Sequence, residues 1–224
     1  MRLLKQFLLL LTVFSILFYG NAAYTAPAPE SQGILAEPKI EVLMRLGVIK
    51  REEAYKDLTV AISRAAFANL LVQLRGWGEV AESAEDSIYF YDVKNSNPHA
   101  KAIQTAAKTG LINAEKARYF NPEGQVTVEV AAQSLLKVIG YDAYIETESK
   151  APSAYVSLAA QKGIFKGVDT KQKTITGGAL YTMVKNLLSL DILTALPAGK
   201  NVEHSIVKGM TILTEYHKVF GGKG

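Results

Sequence analysis

The chain has no cysteine, three histidines, one tryptophan and seven prolines in 224 residues. Without cysteine there is no disulfide framework, no thiol nucleophile, no cysteine zinc site and no lipid anchor on a cysteine. The histidines, His99, His204 and His217, lie too far apart to suggest a His-rich metal site. No metal and no cofactor is therefore expected. Neither charge sign dominates: 25 basic residues face 21 acidic ones, a formal +4. That balance does not call for a nucleic-acid partner. Gly-x-Ser-x-Gly, His-Glu-x-x-His and a phosphate-cradling glycine loop are all missing, so no catalytic residue is named. What is present excludes a mostly disordered chain: 49% of residues are hydrophobic and 9% aromatic. The length suits one domain or two small ones with a sizeable core.

The mean hydropathy of +0.10 is high for a soluble protein. Its source is the N-terminus. Arg2 and Lys5 precede an apolar run from Phe7 to Tyr19, and Gly20 to Ala26 are mostly small. This is the pattern of a secretory signal peptide over residues 1–23, cut after Ala22 or Ala23. The run is short against the ~20 residues a spanning helix needs, so no membrane association is expected after cleavage. Loss of two basic residues leaves the mature chain at +2. Residues 24–35, with Pro27, Pro29 and Gly33, read as a linker.

The rest of the chain repeats itself. Arg45-Leu46-Gly47-Val48-Ile49, Lys108-Thr109-Gly110-Leu111-Ile112 and Gln161-Lys162-Gly163-Ile164-Phe165 each place two apolar residues after a glycine. Four residues before each glycine stands Leu43, Ala106 or Ala159, and seven before stands Ile40, Ile103 or Val156. That spacing is one face of a helix ending at a glycine. Sixteen, seventeen and thirteen residues after the glycines come Ser63, Thr127 and Thr176, each preceded by a β-branched residue. These read as helix N-caps. Counting from the caps, Phe67, Ala131 and Leu180 share offset +4, and Leu71, Leu135 and Val184 share +8. Leu74, Val138 and Leu187 share +11, and Gly76, Gly140 and Ser189 share +13.

The unit is thus helix, glycine stop, loop and capped helix, three times over, at 36–77, 86–141 and 151–192. One such unit is too small to bury its own helices, so the three should share a core. The predicted class is all-α, with at most short β-bridges at the loops. In the middle unit, Phe120 should plug the gap between helices, and Asn121-Pro122-Glu123-Gly124 should turn the chain.

The middle unit resembles an S-layer homology (SLH) module. The resemblance rests on Tyr91-Asp92-Val93, His99-Ala100, Gly110-Leu111-Ile112-Asn113 and Phe120-Asn121-Pro122-Glu123-Gly124-Gln125-Val126-Thr127. The flanking units look like shortened members of a three-module array. The resemblance implies three modules packed as a pseudo-threefold helical bundle. It also implies a secreted bacterial surface protein, held non-covalently to the wall by anionic secondary cell-wall polysaccharide. The family's Thr-Arg-Ala-Glu motif is kept only as Ser63-Arg64-Ala65-Ala66. It becomes Thr127-Val128-Glu129-Val130 in the second unit and Thr176-Gly177-Gly178-Ala179 in the third. The Trp that follows the His in the family is Ala100.

By that resemblance the candidate carbohydrate-binding residues are Arg64, Asp92 and His99. Arg64 reads either as an anion ligand between modules, by bidentate pairing, or as an exposed first-turn arginine. Asp92 reads as a loop brace accepting backbone N–H groups or as a ligand contact; His99 reads as a helix-start residue or a direct contact. The lysines between 150 and 173 read as a solvated basic loop or as an anion-facing patch. The acids between 79 and 92 form a solvated connection, without the alternation around a glycine that calcium requires. Trp77 reads as a packing plug or as a sugar-stacking platform.

The tail, 193–224, is expected to hold a helix with Ile212, Leu213, Tyr216 and Phe220 on one face, and to begin a further domain. Two functions follow: polysaccharide-mediated wall attachment without catalysis, or a structural module that has lost sugar binding and docks other surface-layer proteins. A third reading puts enzymatic chemistry beyond Gly224.

Overall fold

A computed structural model describes residues 38–54, 57–83, 89–148, 151–198 and 201–217. The predicted signal peptide and linker lie outside the described residues. The described helices are α1 Lys39–Arg45, α2 Arg51–Ala54, α3 Arg64–Leu74, α4 Gly78–Glu82, α5 Ala100–Lys108, α6 Val128–Val138, α7 Asp142–Glu148, α8 Pro152–Gln161, α9 Gly177–Leu187 and α10 Ile212–Glu215. Between α9 and α10 a hairpin pairs β1 Leu193–Ala198 with β2 Asn201–Ile206.

Capping starts the long helices where the sequence says it should. Ser63, Thr127 and Thr176 are extended and accept from the N–H groups of Ala66, Val130 and Ala179 at 3.2, 3.3 and 3.2 Å. Each cap begins an 11-residue helix. The nine side chains at offsets +4, +8 and +11 all have 0% exposure. The shared spacing is therefore a shared core face. Phe120 is also fully buried, as predicted.

The segments join through backbone. Ile62 N–H donates to Ile175 C=O at 3.1 Å, Ile175 N–H to Val126 C=O at 2.9 Å, and Val126 N–H to Ile62 C=O at 3.1 Å. The three residues before the caps thus close a ring in which each gives one bond and takes one. A second tier follows: Arg64 N–H to Gly124 C=O, Val128 N–H to Lys173 C=O and Gly177 N–H to Val60 C=O, at 2.8, 3.3 and 3.0 Å. These groups are the orphan donors of helix starts, and each is satisfied by a neighbouring segment. The helices follow the same order: α3 packs on α5, α6 on α8, and α9 on α1.

The chain is largely helical. The hairpin departs from the all-α expectation, since its six-residue strands pair antiparallel from Leu193↔Ile206 to Ala198↔Asn201. The tail helix is also shorter than expected, ending at Glu215, and Phe220 lies outside the described residues. Through His217 the tail belongs to the same core: Ile212 and Leu213 are 0% and 2% exposed.

Two helix-stop glycines make that docking possible. Gly140 has φ +82°, and a Cβ there would lie 2.1 Å from the Leu193 carbonyl oxygen. Gly76 has φ +67°, and its Cβ would lie 2.9 Å from that of Tyr216. Nearby, the Arg75 guanidinium lies between the rings of Trp77 and Tyr216, 4.5 and 4.3 Å from their centroids. Its Nη1 donates to Val138 C=O at 3.0 Å and meets the Tyr216 hydroxyl.

Candidate functional site

Arg64 is the first residue of α3 and only 5% exposed. Its Nε donates to Phe120 C=O at 2.8 Å and its Nη2 to Asn113 C=O at 2.7 Å. Its guanidinium carbon lies 4.7 Å from the Phe120 ring centroid. Burial pushes the Arg64 pKa down, and the nearby negative charges of Glu115 and Asp92 oppose that. Two of five guanidinium donors thus bind the main chain of the following segment. The sequence expectation of an exposed first-turn arginine does not describe this residue.

Asp92 meets Arg64 through a shared partner. Its Oδ1 accepts from Phe120 N–H at 2.9 Å and its Oδ2 from Asn121 N–H at 2.6 Å. Asp92 and Arg64 therefore grip the Phe120–Asn121 peptide region from the donor and acceptor sides. Asn121, at φ +59°, donates from Nδ2 to both carboxylate oxygens of Glu115, at 3.0 and 3.1 Å. The start of α3 is closed by this same loop. Its first N–H donors go to Gly124 C=O, Pro122 C=O, Ser63 Oγ and Ser63 C=O. The arrangement acts as a clasp between the first and second segments.

His99 belongs to a different place. It precedes α5, its N–H donates to Asn97 Oδ1 at 2.9 Å, and its carbonyl accepts from Ile103. Its neighbours Asn97 and Ala100 line a cavity of about 340 Å³ between α3, α4 and the start of α5. The polar walls there are Asn69, Gln73, Asn95, Asn97, Gln104, Lys101 and Glu82. Lys101 Nζ donates across it to Glu82 C=O at 2.8 Å. Five carboxamides in one groove offer donors and acceptors in equal number, the chemistry that sugar hydroxyls match. Sequence reading missed this groove, because its walls come from residues some 25 positions apart that carry no motif. A second cavity, of about 290 Å³, lies where α1 meets α9. There Lys39 Nζ donates to Gly178 C=O and Thr182 Oγ1 at 3.1 and 2.9 Å.

Lys166, Lys171 and Lys173 are exposed, and Trp77 packs against the core. Among the described residues no group of His, Asp and Glu is placed to hold a metal ion. No described helix is long and apolar enough to cross a membrane.

The described residues form a largely helical bundle with polar grooves between its helices. Comparison with known proteins gives the family it resembles. Residues 89–127 match the S-layer homology domain. The chain is 29% identical over 214 residues to the Middle cell wall protein of Brevibacillus brevis (strain 47 / JCM 6285 / NBRC 100599). It is 23% identical over 211 residues to the Surface layer protein of Brevibacillus choshinensis. Each alignment takes in 94% of this chain, but only 20% and 18% of those proteins. The chain thus spans about a fifth of the length of the curated relatives it matches. Its middle matches the S-layer homology domain, and the relatives it resembles are named for the cell wall and the surface layer.

Proposed function

We propose that the chain attaches non-covalently to the cell wall through anionic wall polysaccharide lodged in the grooves between its segments, and performs no catalysis. The observation that carries this reading is the carboxamide-lined groove beside α5, whose paired donors and acceptors suit sugar hydroxyls. His99 flanks that groove. Arg64 and Asp92 serve it by holding the loop of the second segment against the first. The ring of exchanged backbone bonds supports a pseudo-threefold packing of three SLH-like repeats at 36–77, 86–141 and 151–192. In that packing, equivalent junctions supply equivalent grooves, and the tail from 193 onward closes one end and leads toward a further domain. A signal peptide over 1–23 exports the chain.

Co-sedimentation with purified wall sacculi tests the reading. The chain should pellet with intact sacculi and stay in solution with sacculi whose polysaccharide has been extracted. Equal pelleting with both would overturn the sugar reading, and no pelleting would overturn attachment itself. A second reading is favoured by Arg64 alone. Its guanidinium faces inward, and the other two caps are followed by Val128 and Gly177. On that reading the module is a scaffold that docks other surface-layer proteins without sugar. Self-association or partner capture in the absence of polysaccharide would distinguish it.

A further inference from the structure

The loops that carry Asp92 and Phe120 also expose three tyrosines. Tyr89, Tyr91 and Tyr119 are 57%, 64% and 48% exposed, among the most exposed large hydrophobic side chains described. The Tyr91 and Tyr119 ring centroids are 5.7 Å apart, with the rings at 61°. Between Tyr89 and Tyr91 sits the Arg118 guanidinium, 5.2 and 4.2 Å from their centroids.

This cluster is held rigidly. Arg118 Nε donates to Tyr89 C=O at 3.2 Å, and Tyr91 N–H donates to Arg118 C=O at 2.9 Å. Lys116 and Tyr119 bridge to each other on either side of the turn. Beneath the exposed rings lie Phe90 and Phe120, 5% and 0% exposed with centroids 5.5 Å apart. The Asp92 carboxylate fastens that layer. Exposed rings on a fixed base lose little freedom when something binds.

One residue is out of place by local rules. Arg118 has φ +61°, a region that favours glycine or asparagine. Strain of this kind persists where the side chain is needed. Here it sets a cation between two aromatic faces, turned to solvent. Beside the cluster runs a cavity of about 900 Å³, whose walls include Tyr89, Arg118, Lys116, Lys108, Gln104 and Glu115. Three cations stand there against one carboxylate, and that carboxylate is held by Asn121.

We propose that this face is a second binding site, meeting the segment groove only at Gln104, for an acidic polysaccharide. Tyrosine faces suit the C–H faces of sugar rings, and Arg118 and Lys116 suit carboxylates on the same rings. The site rests on the wall-attachment reading only for where its ligand comes from.

Affinity electrophoresis of the full chain through gels containing polygalacturonate, dextran or polyglutamate tests the proposal. Polygalacturonate should retard the wild type, and dextran should do so weakly. Polyglutamate, which has the charge without the ring, should also retard it weakly. Tyr91→Ala and Arg118→Gly should each weaken polygalacturonate retardation at least fivefold. Glycine suits the turn, so the second variant keeps the fold. Lys208→Ala, which removes an exposed cation outside both cavities, should leave it unchanged. Wild-type mobility unaffected by polygalacturonate, or both variants retarded like wild type, would overturn the site. So would equal retardation by polyglutamate, which would mean charge attraction alone. If sacculi pellet the Tyr91 variant normally while its polygalacturonate retardation is lost, wall attachment and this site are separate, and the site stands. If polygalacturonate binds through the tyrosines and sacculi bind nothing, the site again stands and wall attachment falls.

Discussion

Arg64 uses two guanidinium donors inside the protein, on Phe120 C=O and Asn113 C=O. Removing it strands two carbonyls and opens a space over Phe120. Arg64→Ala should therefore cost ~2–4 kcal/mol, read from urea unfolding. Arg64→Lys should recover little, because one ammonium does not reproduce the planar fork. A loss under 0.5 kcal/mol would show that the clasp contributes nothing. Arg118 makes the opposite case. Its left-handed φ costs ~1–2 kcal/mol in a non-glycine residue, so Arg118→Gly should hold or raise the melting temperature while removing the exposed cation. A clear drop would mean that its stacking on Tyr89 and Tyr91 outweighs the strain. The sequence made Arg64 visible as a motif residue and Asp92 as a loop brace. It did not show that both act on one peptide, because Phe120 and Asn121 are 28 or more positions away from either.

At the scale of elements, the tail docks by close backbone approach as well as through the buried Ile212 and Leu213. Gly140 and Gly110 both have positive φ, +82° and +77°, but only Gly140 faces a carbonyl, while nothing lies within 4 Å of a Cβ on Gly110. Gly110→Ala should cost ~1 kcal/mol, for conformation alone. Gly140→Ala should cost at least ~2 kcal/mol more, because the hairpin strand must shift. Equal costs, measured by thermal unfolding, would mean that the hairpin does not press on the end of α6. His217 adds a pH dependence to the same region. Its Nε2 lies 3.0 Å from Leu74 C=O, and burial lowers its pKa below the usual 6.5. The folded chain then binds a proton less readily than the unfolded chain. This contribution is complete above pH ~6.5 and is lost as pH falls through the folded-state value. Melting temperature should fall faster below pH 6.5 in the wild type than in His217→Gln. Parallel curves would remove His217 from the account. The hairpin itself was not legible, because six-residue strands carry too short an alternation to stand out. The caps and glycine stops were legible, because each is written within one turn of helix.

Across the whole molecule, the legible part was local and periodic. Nine core positions could be named from offsets alone, and all nine are fully buried. What could not be read was how segments meet. The ring through Ile62, Val126 and Ile175 joins residues about 50 to 115 positions apart, and backbone bonds leave no mark on residue choice. The groove beside α5 was hidden for the same reason. Asn69 and Gln73 look like ordinary polar positions on α3 until Asn95, Asn97 and Gln104 are brought opposite them. That groove carries the functional proposal, so it is where the account is most exposed to test. Titrating purified wall polysaccharide into the full chain by calorimetry, wild type against the double variant Asn69→Ala/Gln73→Ala, measures it directly. The account predicts saturable binding to the wild type, weakened at least tenfold in the double variant at unchanged melting temperature. Equal affinity in both, or no heat of binding in the wild type, would contradict it.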